Sequence, residues 1–290
     1  MQSRIFDSVL LPLLIGVLLC ADVSGGIAQT GSATRVPMET QAEALGRMSA
    51  DQATRFQGAV KLFSSGDFAG ALVPLRQLLT ELPGEPIVSK YAAEAALNTG
   101  DSAYALGLVS AVLHSNEEDW QAHTLRVRLA AQSGDAATRD AEIARLADLR
   151  AKGVVPLGLR QYPVERVKVG EGSLLIFQSL FPWGNYKVRN YAQLFDGSGK
   201  LDMRMTLESS DFDQPQFAKE HPDAAAKGER RYSYDGYRDG GTNAQGLHTE
   251  THMTFGFVDK QPTYDEVRAR FLLIAGGGNK AGSSNTHPIP

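Results

Sequence analysis

A Gly-Asp dipeptide that recurs at a fixed interval constrains this chain more than any other feature. The dipeptide occurs three times at intervals of 34 residues: Gly66-Asp67, Gly100-Asp101 and Gly134-Asp135. A period of about 34 residues is typical of architectures in which helical hairpins stack one upon the next. Glycine tolerates the positive φ at which many helices end, and an aspartate is favourable at the start of the next helix. Each dipeptide is therefore predicted to form the turn within one helical hairpin.

Apolar residues around the dipeptides recur with the same period. The recurring columns are Ala59, Ala93 and Val127; Leu62, Ala96 and Ala130; Leu75, Val109 and Ile143; Leu78, Val112 and Leu146. One hairpin cannot bury its apolar face alone, whereas three stacked hairpins share a continuous core. The sequence therefore predicts an all-α solenoid of three repeats over residues 51–152.

These repeats resemble the tetratricopeptide repeat (TPR) family, and the resemblance covers about a third of the chain. The first unit carries the residues that the family places at its Gly-Asp-aromatic turn, its small position and its terminal proline: Gly66, Asp67, Phe68, Ala71 and Pro83. The second and third units depart from this pattern, with Ser102 at the aromatic position and Arg139 at the alanine position. The resemblance implies a TPR-like helical solenoid.

The resemblance also implies a concave face, lined by the first helix of each repeat, that holds another protein or peptide. The corresponding positions of the second and third repeats are polar, and we call them the polar strip: Lys90, Glu94, Asn98, Gln121, Thr124, Arg128 and Gln132. A hydrogen-bonding strip of this kind suits an extended peptide of mixed charge. An ordinary solvated helix face gives the same pattern, so both interpretations stay open.

Residues 1–28 have the pattern of a secretory signal peptide. Arg4 supplies a positive charge, residues 9–19 are apolar, and Gly26 and Ala28 place small residues before the predicted cleavage site. The apolar run is too short for a transmembrane span. The sequence therefore predicts an exported protein, located in the periplasm or outside the cell.

Cys20 offers a second interpretation of this leader, as a lipid-modified cysteine. Leu19 stands where a lipoprotein signal normally has a small residue, so simple cleavage after Ala28 is the preferred prediction. Cys20 is the only cysteine of the chain. Removal of the leader would leave a mature protein without disulfides, thiolate chemistry or a cysteine-ligated zinc site.

Composition and charge argue against two classes of protein. The formal net charge is −4, with no basic stripe that could displace counterions from a nucleic acid. No apolar stretch after the leader is long enough to span a bilayer. We therefore predict no nucleic-acid partner and no transmembrane span in the mature chain.

The sequence pattern changes from helical to strand-like near residue 160. Residues 29–50 are predicted to be a leader followed by a short helix, residues 160–276 a β-rich domain, and residues 277–290 a disordered tail. The clearest hairpin has alternating strands on either side of the turn Asp196-Gly197-Ser198-Gly199. The fold class is thus α+β: an N-terminal all-α solenoid followed by an antiparallel β-sheet or sandwich with one terminal helix.

One cluster has the composition of a metal site. His248, Glu250 and His252 would share one face of a strand and could reach one cation, although a solvated strand face is the preferred interpretation. The sequence shows no nucleophile or phosphate-binding motif, so we predict no metal, no cofactor and no enzymatic activity. The predicted function is that of an adaptor or scaffold in the cell envelope. The alternative is a β domain that binds a glycan or a metal, or that hydrolyses a substrate, docked through a TPR arm.

Overall fold

The computed structural model describes residues 40–180, 186–278 and 283–289. The chain divides between Leu159 and Arg160 into an all-helical unit and a unit built on an antiparallel sheet, so the fold class is α+β as predicted. The predicted signal peptide, Cys20 and residues 29–39 lie outside the described residues.

Seven helices are described in the helical unit. They are α1 (Gln41–Arg47), α2 (Ala50–Ser64), α3 (Phe68–Glu81), α4 (Pro86–Thr99), α5 (Ser102–Ser115), α6 (Trp120–Ser133) and α7 (Ala136–Ala151). Helices α2 and α3, α4 and α5, and α6 and α7 form three hairpins. Contacts also join α2 to α4 and α4 to α6, so the first helices of successive hairpins lie beside one another. Within the described ranges, no helix combines the length and the apolar character needed to cross a bilayer.

The three Gly-Asp turns have the same hydrogen-bonded structure. Gly66, Gly100 and Gly134 have φ values of 84°, 87° and 76°. The aspartate amide after each glycine donates to a carbonyl five residues earlier, namely that of Leu62, Ala96 and Ala130. Each aspartate side chain then accepts a hydrogen bond from the first turn of the following helix. The predicted role of the dipeptide, a left-handed helix end followed by an N-cap, is confirmed.

Replacement of Gly100 by alanine tests this turn. Alanine at φ 87° meets the left-handed penalty of about 1–2 kcal/mol, so Gly100→Ala should lower the free energy of unfolding by about that amount. Gly107 is a matched control because it lies inside α5, where an added Cβ meets nothing within 4 Å. Gly107→Ala should instead stabilise by about 0.5–1 kcal/mol through the greater helix propensity of alanine. Urea unfolding of both variants would show the opposite signs; a loss of the same size in both would contradict the turn assignment.

The core of the helical unit begins at α1, which covers the first hairpin. Ala44 of α1 is fully buried in the same apolar cluster as Phe56 and Phe63 of α2. Both phenylalanine rings contact Tyr91 of α4 edge-on, with centroids 5.5 and 5.2 Å from that ring. The predicted short helix before the first repeat is thus confirmed, and aromatic packing links the first hairpin to the second.

The second unit is a seven-stranded antiparallel sheet in which the strands follow chain order. Its strands are β1 (Gln161–Val169), β2 (Gly172–Ser179), β3 (Tyr186–Phe195), β4 (Leu201–Ser210), β5 (Tyr232–Thr242), β6 (His248–Val258) and β7 (Ser283–Ile289). Helices α8 (Gln214–Glu220) and α9 (Pro222–Ala226) connect β4 to β5, and α10 (Tyr264–Ala275) follows β6. The predicted hairpin around Asp196 is confirmed as β3–β4.

One face of this sheet is the apolar core of the unit. Met205 of β4 lies opposite Ala192 of β3, and both side chains are fully buried. Helix α10 contacts β2 and β3, and its Phe271 packs edge-on against Tyr234 with ring centroids 6.0 Å apart. A capping box between Thr263 and Glu266 begins the helix. The predicted terminal helix therefore supplies the apolar layer on this face.

The C-terminal segment differs from its prediction. Composition predicts disorder for residues 277–290, whereas the structure has the strand β7, paired along β6 from Thr254 opposite Ser283 to His248 opposite Ile289. Main-chain groups make this pairing, so a segment with few apolar residues can still extend a sheet at its edge.

Candidate functional site

The polar strip of the helical unit is not a continuous accessible surface. Lys90 and Glu94 are only 2% and 3% exposed, and Gln121 is also buried. Thr124 and Arg128 are of intermediate exposure, whereas Asn98 and Gln132 are exposed. The strip therefore has a buried part and an accessible part with different roles.

Ion pairs occupy the buried part of the strip. Lys90 Nζ donates to Asp119 Oδ2 at 2.8 Å, and Arg128 Nη1 donates to Glu94 Oε1 at 2.6 Å. Glu94 and Arg128 are 34 residues apart and thus occupy the same position in successive repeats. Charged side chains are buried between helices only when they are paired. These four residues fix the second repeat against the third, and Lys90 and Glu94 are not available to a partner in this structure.

The accessible part of the strip lies at the C-terminal ends of α4 and α6. Asn98 and Gln132 are 34 residues apart and place two exposed side-chain amides at equivalent positions. Asn98 Nδ2 donates to the Glu94 main-chain carbonyl at 2.8 Å, and the amide oxygen of Asn98 takes no part in this bond. Gln132 Oε1 accepts from the Ser102 hydroxyl at 3.4 Å. The two amides offer donors and acceptors of the kind that bind a peptide main chain.

The three metal candidates of β6 bind three different partners. His248 Nε2 lies 3.2 Å from an oxygen of Asp239, and His252 Nε2 lies 3.2 Å from Asp235 Oδ1. Glu250 is buried and forms an ion pair with Arg204. In the part of the chain that the structure describes, no group of three or more His, Cys, Asp or Glu side chains is arranged to hold a metal ion. The solvated-face interpretation is wrong for Glu250, because Glu250 is buried and Arg204 reaches it from β4.

The sheet face opposite Tyr234 and α10 carries a set of polar residues, of which only His252 was a candidate from the sequence. We call them the β-face cluster: Tyr191, Gln193, Thr206, Glu208, Asp235, Tyr237, His252 and Thr254. Strand registers place Tyr191, Thr206, Asp235 and Thr254 in one row, and Gln193, Arg204, Tyr237 and His252 in the next. Side chains directly opposite one another share a face, so the cluster spans β3 to β6.

Asp235 is the most highly bonded member of the β-face cluster. Its Oδ1 accepts from Thr254 Oγ1 at 2.7 Å and faces His252 Nε2 at 3.2 Å. Its Oδ2 accepts from the Ser233 hydroxyl. Asp235 is thus held by three neighbours. The Ser233 hydroxyl donates to the Asp235 carboxylate and not to the His252 imidazole. Ser233 and His252 therefore lack the contact between nucleophile and base that a hydrolase needs.

Glu208 is held differently. Its Oε1 accepts from the Tyr237 hydroxyl at 3.0 Å. Burial, and then the nearby charge of Asp235, raise the pKa of Glu208 above its ordinary value. Burial and the charge of Glu208 likewise raise the pKa of Tyr237 far above the physiological range, so its phenol stays protonated as a donor. A buried carboxyl group with a raised pKa is common at binding and catalytic sites.

The raised pKa of Glu208 predicts a particular pH dependence of stability. Above pH 4.5 the unfolded chain releases this proton, whereas the native state retains it to higher pH. The Glu208 contribution is therefore fully present below pH 4.5 and is lost as the pH rises through the raised value. Glu208→Gln should remove this loss. The free energy of unfolding of this variant should therefore increase relative to that of the wild type as the pH rises. Urea unfolding at a series of pH values tests this prediction. Glu229→Gln, at an exposed site, is the control and should follow the wild-type profile. A Glu208→Gln profile that runs parallel to the wild-type profile would contradict the prediction.

A signal for the β-face cluster exists in the sequence but is incomplete. Along β4, apolar residues alternate with polar ones: Met203, Met205 and Leu207 with Arg204, Thr206 and Glu208. Such alternation predicts one buried and one solvated face. It cannot show that the polar face is also buried, because that depends on pairing with β5 across an intervening helical segment.

Comparisons with known proteins provide no family for this chain. No protein-family model matches it, and a search of curated proteins found no match. The function is therefore inferred from the sequence pattern and from the geometry described above.

Proposed function

We propose that this protein is an exported adaptor of the cell envelope whose helical unit is a TPR-type solenoid that holds another protein. The observation that carries the proposal is the stacking of hairpins at the 34-residue period, with Glu94 and Arg128 paired across one period. Stacked repeats of this kind present extended surfaces built from equivalent positions. The signal peptide predicted over residues 1–28 supports a periplasmic or extracellular location.

The buried ion pairs support this function by making the scaffold rigid. Lys90 of α4 pairs with Asp119, the residue that caps the start of α6. Glu94 of α4 pairs with Arg128 within α6. A fixed spacing between α4 and α6 orders the binding surface before a partner arrives, which lowers the entropy cost of association. In this proposal the buried residues of the polar strip position the accessible ones and do not themselves touch the partner.

The accessible amides of Asn98 and Gln132 are the proposed contact residues. Side-chain amides both donate and accept, so two of them one repeat apart suit the main chain of an extended segment. The proposal assigns the helical unit a binding role without a catalytic step.

Site-specific photo-crosslinking in cells that express the full chain tests the proposal. A photo-reactive residue at Asn98 or at Gln132 should give a discrete adduct with the same partner protein. Gln77 of α3 and Ser110 of α5 are exposed positions on the second helices of their repeats and serve as controls. The double variant Asn98→Ala/Gln132→Ala should lose most of the partner recovered by the wild type. Identical adducts at the strip and control positions, or none at the strip, would refute the proposed surface.

A further inference from the structure

Two carboxyl groups dominate the buried part of the β-face cluster. Glu208 and Asp235 are 8% and 3% exposed. Arg204, on the same face, is already paired with Glu250. Among the residues that the structure describes, neither carboxyl group forms an ion pair with a lysine or an arginine, and only Asp235 has a histidine partner. A buried carboxylate without a countercharge is costly, so this face favours an added positive charge.

A second acceptor is buried on the same face without a partner. Gln193 is 5% exposed, and its amide nitrogen donates to the Tyr191 hydroxyl at 3.2 Å. Its Oε1 has no hydrogen-bond partner among the described residues. A buried polar atom left unpaired costs about 1–3 kcal/mol, so it identifies a place where a ligand donor would stabilise the structure.

The rim of the cluster is aromatic and partly open. The His252 side chain is 32% exposed, and Tyr191 and Tyr237 are of intermediate exposure. The rings of Tyr237 and His252 stack with centroids 4.6 Å apart and planes 6° apart. Aromatic faces attract cations electrostatically. The rim thus combines partial exposure to solvent with ring faces that attract cations.

We propose that the β-face cluster is a binding site for a small molecule that carries a primary ammonium group. Such a group combines one positive charge with three N–H donors, and each buried acceptor on this face, the Glu208 carboxylate or the free amide oxygen of Gln193, suits such a group. The rings of Tyr191 and Tyr237 lie beside these acceptors. An anion is disfavoured by the two carboxyl groups, and a metal ion by the hydrogen bonds that already hold Asp235.

Calorimetric titration of the full chain with 1,4-diaminobutane, at pH 8 and constant ionic strength, tests this site. Binding should be saturable, and tetramethylammonium, a cation without N–H donors, should bind at least about tenfold more weakly. Glu208→Gln keeps the shape of the side chain and should weaken diaminobutane binding by about tenfold to a hundredfold. Glu229→Gln, at an exposed position of the same unit, should bind as the wild type does.

Two further measurements locate the binding and guard against a folding artefact. Gln193→Leu removes the other acceptor and should weaken binding several-fold even if Glu208→Gln fails to fold. Diaminobutane should also shift the NMR resonances of the His252 ring. The proposal is overturned by an absence of saturation at millimolar diaminobutane, by equal affinities of the wild type and Glu208→Gln, or by His252 resonances that do not move.

Discussion

Lys90→Ala is expected to lower the free energy of unfolding of the helical unit by about 3–5 kcal/mol. Lys90 and Asp119 are both buried and joined at 2.8 Å, so truncation of the lysine leaves a buried carboxylate without its countercharge. Asp119 also caps α6 by accepting from the Ala122 amide at 2.9 Å, which prevents the carboxylate from turning away without the loss of a second bond. The effect should therefore exceed that of an ordinary side-chain truncation.

Urea unfolding followed by helical circular dichroism measures this loss. Lys61→Ala, at an exposed position of α2, is the matched control and should change the free energy of unfolding by less than about 0.5 kcal/mol. The double variant Lys90→Met/Asp119→Asn removes both charges and retains a capping side chain, so it should recover much of the loss. A cost below about 1 kcal/mol for Lys90→Ala would show that the pair is not buried in solution.

Phe271→Ala should destabilise the β unit by about 3–5 kcal/mol. The side chain is fully buried between α10 and the sheet and packs against the Tyr234 ring. Its removal takes away apolar area and an aromatic contact and leaves a cavity between α10 and the sheet. The loss should appear in the unfolding transition of the β unit, detected by near-ultraviolet circular dichroism of its tyrosines.

Leu273 provides the comparison for Phe271 within the same helix. It is 45% exposed, so Leu273→Ala removes a large apolar side chain without opening a comparable cavity. Its effect should stay below about 1 kcal/mol. If the two variants lost the same stability, α10 would not cover the apolar face of the sheet in the way described.

The features predicted correctly from the sequence are those in which a local pattern determines local structure. Gly100 ends a helix in the left-handed region, and Asp101 caps the next helix, because both effects depend on residues within one turn. The β3–β4 hairpin is similar: Asp196 Oδ1 accepts from the Ser198 and Lys200 amides, which stabilises the turn through neighbouring residues. Neither feature requires knowledge of a distant partner.

The features that were missed depend on pairs far apart in the chain. Lys90 meets Asp119 across 29 residues, and Arg204 meets Glu250 across 46. A charged side chain has the same helical or strand position whether solvent or an opposite charge faces it, so the pattern favours the commoner solvated interpretation. The sequence therefore predicts one continuous polar strip, whereas the buried ion pairs of that strip join the second repeat to the third.

By itself, the sequence determined the 34-residue repeat, its turns, the strands on either side of Asp196 and the terminal helix, because glycine conformation, capping and periodicity act over a few residues. Only the tertiary structure decided that Lys90 and Glu94 lie between stacked helices, and that Glu208 and Asp235 are buried on one sheet face. Burial is a property of packed elements, and the same carboxyl group is an ordinary solvated residue or a candidate ligand-binding residue according to what lies across from it.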